Sequence, residues 1–367
     1  MEFIDLRSQQ ELISKQLDES IKCVLREGNY ILGSQVNLLE ERLAEFVGSK
    51  YCLSVASGTD ALLMALMSLD IGPGDEVITT PFTWISTVEV IKLIGAKPIY
   101  CDVEERTFNL NPIYLKNLVS EKTKAIIPVS LFGQCPDFEG INTFAKNHNL
   151  YVIEDAAQSF GAEYKGKRSC SLTDISCTSF FPSKPLGCYG DGGAVFTNDY
   201  EIYQKLKAIR VHGASSKNNF EFVGLNGRLD TIQAAILLVK LDIFEEEINL
   251  RQKVATNYVE LIRDSRNPNS DIALYEPVIE QHNKSVYAQF TIKTDNRILA
   301  LDRLKQENIP FAIHYEKLAN EHPAYQEEGT NLPVSKKLTN QVFSIPMHPY
   351  LSLSDQKKVI NTLFGVN

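Results

Sequence analysis

The chain has 367 residues and a mass of 41.2 kDa, with 44% hydrophobic and 23% charged residues. This length predicts two or three domain-sized units, and this composition excludes a disordered chain, a collagen and a coiled coil. The 37 basic and 46 acidic side chains give a net charge of −9, which argues against a protein that grips nucleic acid through a basic surface.

The apolar segments and the cysteines indicate the compartment. No apolar stretch reaches the roughly 20 residues of a membrane span, and the N-terminus lacks the basic-then-apolar pattern of a signal peptide. The seven cysteines are scattered and form no C-x-x-C pair. We therefore expect reduced thiols in a cytoplasmic protein without a membrane partner, a disulfide framework or a metal site.

Short apolar runs alternate with helix-like segments through the first two thirds of the chain. The predicted strands are 76–79, 98–101, 125–129, 151–153, 177–180 and 194–197. The predicted helices are 61–69 and 138–147. This alternation is typical of a mostly parallel sheet with both faces covered, so the predicted fold class is α/β.

The last third of the chain does not continue the regular alternation of apolar runs and helix-like segments. Asp230 to Gln233 has the pattern of a capping box that begins an apolar helix over 234–244, and a charged helical stretch follows to Asp264. A strand-like segment over 287–293 and a helix over 297–307 come next. We predict a large domain over 1–249 and a smaller α+β domain over 250–367.

The first stretch that carries chemistry is Ser57-Gly58-Thr59-Asp60, between a short strand and a helix. It presents free backbone N–H groups, the positive end of a helix and two hydroxyls to one point, an arrangement that suits a phosphate. An ordinary helix cap uses the same residue types, so this pattern alone leaves both interpretations open.

Two later residues add ionisable groups. Asp155 ends an apolar strand at the edge of the sheet where α/β proteins bind ligands; it could hold a proton on a ring nitrogen, coordinate a metal or cap a helix. Lys184 follows two aromatic residues in a turn rich in proline and glycine. An apolar shell lowers the pKa of an ammonium group and leaves the neutral amine that Schiff-base chemistry needs.

The order of these features resembles the DegT/DnrJ/EryC1/StrS family of nucleotide-sugar aminotransferases, which depend on pyridoxal phosphate. The segments that carry the resemblance are 57–62, 72–78, 154–158, 179–184, 226–230 and 314–315. The resemblance covers essentially the whole chain. It implies the aspartate-aminotransferase-like fold (fold type I), with a large domain around a mostly parallel seven-stranded sheet and a smaller C-terminal α+β domain.

The resemblance also implies the roles of individual residues. Lys184 would bind the cofactor covalently and then serve as the general base, while Asp155 would keep the ring nitrogen protonated. Gln158 would bond the ring hydroxyl, and Trp84, the only tryptophan, would stack on the ring. The remaining expected contacts are Gly58, Thr59, Asp60 and Ser179 for the cofactor, Asn226 from a partner subunit for its phosphate, and Arg228, His314 and Tyr315 for the sugar nucleotide.

The implied reaction moves an amino group from L-glutamate, leaving 2-oxoglutarate, to carbon 3 of a UDP-linked 3-keto-N-acetylglucosamine uronic acid. The implied setting is lipopolysaccharide O-antigen synthesis by a homodimer with a shared site. A 4-keto-6-deoxy or a dTDP-3-keto-6-deoxy sugar nucleotide is the alternative substrate, and a sugar-nucleotide sensor is the alternative without turnover. Dehydratases of the family replace the lysine with histidine, so Lys184 favours a transaminase.

Overall fold

The apolar runs of the sequence become strands, and the segments between them become helices. A computed structural model describes residues 1–266, 270–327 and 330–366. Its strands are β1 (Tyr51–Val55), β2 (Glu76–Thr79), β3 (Lys97–Tyr100), β4 (Thr123–Ile127), β5 (Tyr151–Asp155), β6 (Glu163–Tyr164), β7 (Lys167–Arg168), β8 (Ile175–Ser179), β9 (Gly193–Thr197), β10 (Ala214–Ser216), β11 (Asn219–Phe220), β12 (Leu274–Tyr275), β13 (Asn283–Lys284), β14 (Phe290–Thr294) and β15 (Val342–Ile345).

Helices connect most of these strands. They are α1 (Leu6–Leu12), α2 (Ser14–Glu27), α3 (Ser34–Val47), α4 (Gly58–Ser68), α5 (Ser86–Leu93), α6 (Phe138–Asn147), α7 (Tyr200–Arg210), α8 (Thr231–Asp264), α9 (Arg297–Gln306), α10 (Pro333–Leu338) and α11 (Leu353–Phe364). None of the helices in the described ranges is long and apolar enough to cross a membrane.

The central sheet has seven strands in the order β1-β9-β8-β5-β4-β2-β3. Every neighbouring pair from β8 to β3 is parallel, whereas β9 runs antiparallel to both β8 and β1. The carboxyl ends of β1, β5 and β8 therefore meet at one edge of the sheet. This mostly parallel, seven-stranded sheet confirms the predicted α/β fold class.

The alternation of side chains along each strand divides the core between the two faces of the sheet. In β9, Val195 packs with residues of α4 and α7, while Ala194 and Phe196 pack with residues of α3 and α8. Burial on both faces explains why the strands are continuous apolar runs in the sequence. The sheet is consequently a rigid frame for the residues at its carboxyl edge.

The predicted start of α8 is wrong in its detail. The side chain of Asp230 accepts no capping hydrogen bond, and the amide of Gln233, which would complete the box, is bound to the backbone of Tyr189. The first turn is held instead by the backbone of Thr231, which donates to the oxygen of Tyr30 at 2.9 Å. From there, α8 runs without a break for 34 residues.

The C-terminal third contains the antiparallel strands β12, β14 and β15 and its own hydrophobic cluster, formed by residues between Val254 and Phe364. Strand β14 begins at Phe290, later than predicted, because Tyr287 has a left-handed backbone with φ of 45°. The division of the chain at residue 249 stays a prediction, and residues 267–269, 328–329 and 367 of the proposed small domain lie outside the described residues.

Candidate active site

A cavity of about 460 Å³ opens at the edge of the sheet where β1, β5 and β8 end. Its wall combines the start of α4, the ends of β5 and β8, the turn that follows β8, and three side chains from the C-terminal third. Of the residues that the sequence predicts for the site, the following line it: Gly58, Thr59, Trp84, Asp155, Gln158, Ser179, Lys184, His314 and Tyr315.

Lys184 presents the only ammonium group among the residues that line this cavity. Burial lowers its pKa, although the nearby carboxylate of Asp155 opposes the shift. The backbone N–H of Lys184 donates to the oxygen of Phe181 at 2.9 Å, which closes a tight turn beneath the side chain. An amine with a lowered pKa loses its proton more easily than that of an exposed lysine.

Asp155 is the last residue of β5 and is buried at the floor of the cavity. One carboxylate oxygen accepts from the hydroxyl of Thr87 at 2.7 Å, and the other accepts from the N–H of Ala157 at 3.1 Å. Burial raises the pKa of Asp155, while these hydrogen bonds and the charge of Lys184 lower it. An acid in such surroundings can share a proton with a basic nitrogen in the cavity.

Gln158 is buried and connects the floor of the cavity to the C-terminal third. Its oxygen accepts from the N–H of Phe132 at 2.8 Å, and its nitrogen donates to the hydroxyl of Tyr315 at 3.0 Å. Phe132 has a left-handed backbone with φ of 55°, a strained conformation that is typical of functional sites. One N–H of the amide is still available to a ligand, such as the ring hydroxyl that the family resemblance predicts.

The start of α4 forms the end of the cavity that suits an anion. The hydroxyl of Ser57 accepts from the N–H of Asp60 at 3.0 Å, so the predicted helix cap is present. A Cβ atom on Gly58 would lie 2.7 Å from the Cβ atom of Ser179, and only glycine permits this approach of α4 to β8. Asp60 lies in the first turn of α4, not among the cavity-lining residues, and burial raises its pKa.

Trp84 and His314 also contribute rings to the wall. Trp84 is 60% exposed at the cavity, so a face of its ring is free to contact a ligand. The Nδ1 atom of His314 lies 3.1 Å from the hydroxyl of Ser344. Burial, reinforced by the charge of Lys184, lowers the pKa of His314 to about 4, so this ring is neutral at physiological pH.

Asn226 and Arg228 do not line the cavity of their own chain. They lie just before α8, where the Nε atom of Arg228 donates to the side-chain oxygen of Asn226 at 2.8 Å. Asn226 is exposed and Arg228 is half-buried. The structure therefore does not bring these two predicted residues together with Lys184 within one chain.

Several residues of the site escape sequence reasoning. Thr87 is the hydroxyl donor to Asp155, and Cys177 and Asp191 line the cavity. Gln289 also lines it, and its buried side-chain oxygen has no hydrogen-bond partner in the described part of the chain. Cys177 and Asp191 lie close in the chain to Ser179 and Lys184, whereas the bond from Thr87 to Asp155 joins segments 68 positions apart, which no local pattern in the sequence indicates.

The donor set fits pyridoxal phosphate. The cavity offers an amine whose pKa is lowered by burial, a buried carboxylate for a ring nitrogen, and the N-terminus of α4 with nearby hydroxyls for a phosphate. A second depression of about 460 Å³ beside β3 contains none of the predicted site residues.

Comparisons with known proteins agree with this geometry. Residues 11–364 match the model of the DegT/DnrJ/EryC1/StrS aminotransferase family. The chain is 53% identical over 363 residues, 99% of both chains, to the UDP-2-acetamido-2-deoxy-3-oxo-D-glucuronate aminotransferase of Pseudomonas aeruginosa.

Two solved structures are similar over nearly the whole chain. One is a DegT DnrJ EryC1 StrS aminotransferase from Brucella abortus, with 39% identity, a TM-score of 0.93 and coverage of 100% of this chain and 99% of that one. The other is S. venezuelae DesV in complex with a ketimine intermediate, with 32% identity, a TM-score of 0.94 and coverage of 99% and 97%.

Proposed function

The chain belongs to the DegT/DnrJ/EryC1/StrS aminotransferase family, and we propose that its substrate is a UDP-linked 2-acetamido-2-deoxy-3-keto-hexuronic acid, which it aminates at carbon 3. The observation that carries this proposal is the 53% identity, over 99% of both chains, to an enzyme named for that substrate.

The predictions of an enzyme and of its cofactor are confirmed: the protein is an aminotransferase that depends on pyridoxal phosphate, as its family does. Its fold is the predicted fold type I, shared with the family structures described above. When bound, the cofactor supplies a conjugated ring that accepts the electron pair released at the substrate carbon.

The side chains divide the remaining work. Lys184 would hold the cofactor through its Nζ atom and, once displaced by the substrate amine, would carry a proton from one carbon to the other as the general base. A neutral Nζ is required for both tasks, and burial favours it by lowering the pKa of Lys184. Asp155 would hold a proton at the ring nitrogen, and its bond from Thr87 keeps the carboxylate aimed into the cavity.

The neighbouring residues would orient the ring and the sugar. Gln158 and Tyr315 are bonded to each other and would face the ring hydroxyl together. Trp84 would cover one face of the ring. Gly58, Thr59 and Ser179 would hold the phosphate at the start of α4, with Asp60 in the same helical turn. Neutral His314 would contact the sugar without adding charge.

We propose further that the active site is shared by two subunits. The substrate carries a diphosphate and a carboxylate, yet no arginine lines the cavity, its one lysine is Lys184, which the reaction requires in its neutral form, and Asp155 and Asp191 are acidic. Arg228, with Asn226, lies outside the cavity of its own chain and would supply the missing charge to the partner's cavity.

The surface beside Arg228 supports this arrangement. The side chains of Tyr30, Ile31 and Leu32 are 48%, 41% and 37% exposed, and the backbone of Tyr30 is bonded to Thr231 at the start of α8. An exposed apolar group beside a polar ligand-binding residue is typical of a subunit interface. The proposed assembly is a homodimer.

The proposal includes L-glutamate as the amino donor and a cytoplasmic role in making diamino-uronic acid sugars for lipopolysaccharide O-antigen. The decisive experiment offers the purified enzyme L-glutamate and a panel of UDP- and dTDP-linked 3-keto and 4-keto sugars, with products measured by mass spectrometry. We expect the highest kcat/KM for the UDP-linked 3-keto uronic acid. Faster turnover of a 4-keto-6-deoxy or dTDP-3-keto-6-deoxy sugar would overturn the substrate assignment.

A further inference from the structure

Lys240 is a buried charge that the reaction described so far does not use. It lies on α8 with 1% of its surface exposed. Its ammonium donates to the backbone oxygen of Gly187 at 2.6 Å and lies 4.2 Å from the centre of the Tyr189 ring. Burial lowers its pKa to about 8, with the charge of Glu247 opposing the shift, so the group is mostly protonated at pH 7.

Burying an ammonium group is unfavourable unless strong partners compensate for its lost hydration. Lys240 has a carbonyl oxygen and an aromatic face as partners, and it takes part in no ion pair within residues 1–266, 270–327 and 330–366. A leucine or methionine would fill the same space in α8 without this cost. The hydrogen bond to the oxygen of Gly187 is therefore what the charge of Lys240 contributes.

That carbonyl belongs to the turn that carries Lys184. The N–H of Cys188 donates to the oxygen of Phe180 at 2.8 Å and closes the loop around Lys184. Gly187 has no room for a side chain, because a Cβ atom there would lie 2.7 Å from the oxygen of Phe181. A residue packed this tightly passes any movement of its carbonyl to the rest of the turn.

Helix α8 holds the same turn at a second point. The side-chain oxygen of Gln233 accepts from the N–H of Tyr189 at 2.9 Å, and its nitrogen donates to the oxygen of Tyr189 at 3.2 Å. Gln233 and Lys240 are seven residues apart and therefore lie on one face of the helix, two turns from each other. Together they bind the segment that follows Lys184 to a rigid element.

We propose that Lys240 is a positioning residue for Lys184: its ammonium fixes the oxygen of Gly187 and so keeps the Lys184 amine aimed at the reacting carbon. The proposal rests on the role of Lys184 in the proposed function. Without the ammonium, a buried carbonyl would lose its partner and the turn would relax to recover one. A displacement of about 1 Å at a reacting group can cost roughly 100-fold in rate.

The test compares Lys240→Met with Lys253→Met, since Lys253 is an exposed lysine on the same helix. Three properties of the loaded enzyme are measured: the unfolding temperature, the pH midpoint of the absorbance of the bound cofactor, and kcat and KM for both substrates. We expect Lys240→Met to fold, to show a shifted absorbance midpoint, and to lose at least tenfold in kcat with KM changed less than threefold. Lys240→Arg should recover part of kcat, and Lys253→Met should match the unaltered enzyme.

A folded Lys240→Met variant with normal kcat and a normal absorbance midpoint would overturn the proposal. If this variant does not fold, Lys240→Gln, which removes the ammonium but keeps a polar side chain, replaces it with the same expected and contrary results. The absorbance titration contains no sugar, so an incorrect sugar assignment leaves its outcome unchanged. Borohydride reduction and peptide mapping of the unaltered enzyme test separately whether Lys184 binds the cofactor.

Discussion

Replacing Thr87 with valine should disturb the ionisation of Asp155 without changing the shape of the core. The Thr87 hydroxyl donates to the buried carboxylate at 2.7 Å, and valine keeps the volume but removes the donor. A hydrogen bond to a charged group contributes about 1.5–3 kcal/mol. If the transition state loses all of this free energy of stabilisation, kcat falls roughly 10- to 150-fold.

The same change has a defined pH dependence. The pKa of Asp155 is already raised by burial, and losing the Thr87 donor raises it further. The acid limb of the pH–kcat/KM profile should therefore move to higher pH. The variant should also be less stable than the unaltered protein at pH values above the pKa of Asp155, and this deficit should shrink as the pH falls through that pKa and the carboxyl takes up its proton.

The assay is the pH–kcat/KM profile together with denaturant unfolding at several pH values. Thr79→Val is the matched control, because Thr79 is equally buried but donates to a neutral acceptor, the oxygen of Ile127, at 2.8 Å. The control should lose about 1 kcal/mol of stability and keep its pH profile. An unmoved acid limb in Thr87→Val would refute the role given to this hydrogen bond.

Three other predictions follow from the geometry. Co-expressed Lys184→Ala and Arg228→Ala chains, each inactive or weak alone, should regain activity in mixed dimers with one intact site; activity no higher than that of the separate variants would contradict the shared site. Gly58→Ala should weaken cofactor binding at least tenfold in an absorbance titration, because the added carbon would lie 2.7 Å from Ser179; unchanged affinity would remove Gly58 from the phosphate site. The unfolding free energy should fall as the pH drops from about 6.5 towards 4, because His314 takes up its proton more readily in the unfolded chain than in the folded one, where its pKa is lowered to about 4. The His314→Gln variant should show a smaller fall over this pH range. An equal fall in the variant would contradict the statement that burial lowers the pKa of His314.

Local patterns in the sequence predict much of the frame and of the chemistry. The apolar run before Asp155 and the turn at Lys184 identify strand ends, and the structure brings both to one cavity with Gly58. The helix predicted over 138–147 has those bounds. These features depend on residues close together in the chain, which is why a pattern can indicate them.

Contacts between distant segments account for what the sequence does not predict. Thr87 reaches Asp155 across 68 positions, and nothing around Thr87 distinguishes it from other threonines. The capping box predicted at Asp230 does not form for the same reason. The side-chain amide of Gln233 is hydrogen-bonded to the backbone of Tyr189, which is 44 positions away. Lys240, placed within an apolar helix, could not be recognised as a partner of Gly187 before the two segments were seen together.

We propose that this enzyme moves an amino group from L-glutamate to carbon 3 of a UDP-linked 3-keto uronic acid. Incubation with 15N-labelled L-glutamate and that substrate, followed by NMR of the product, tests it most directly. We expect 15N bonded to carbon 3, and no transfer by the Lys184→Ala variant. A product without the label at carbon 3, or full transfer by Lys184→Ala, would contradict it.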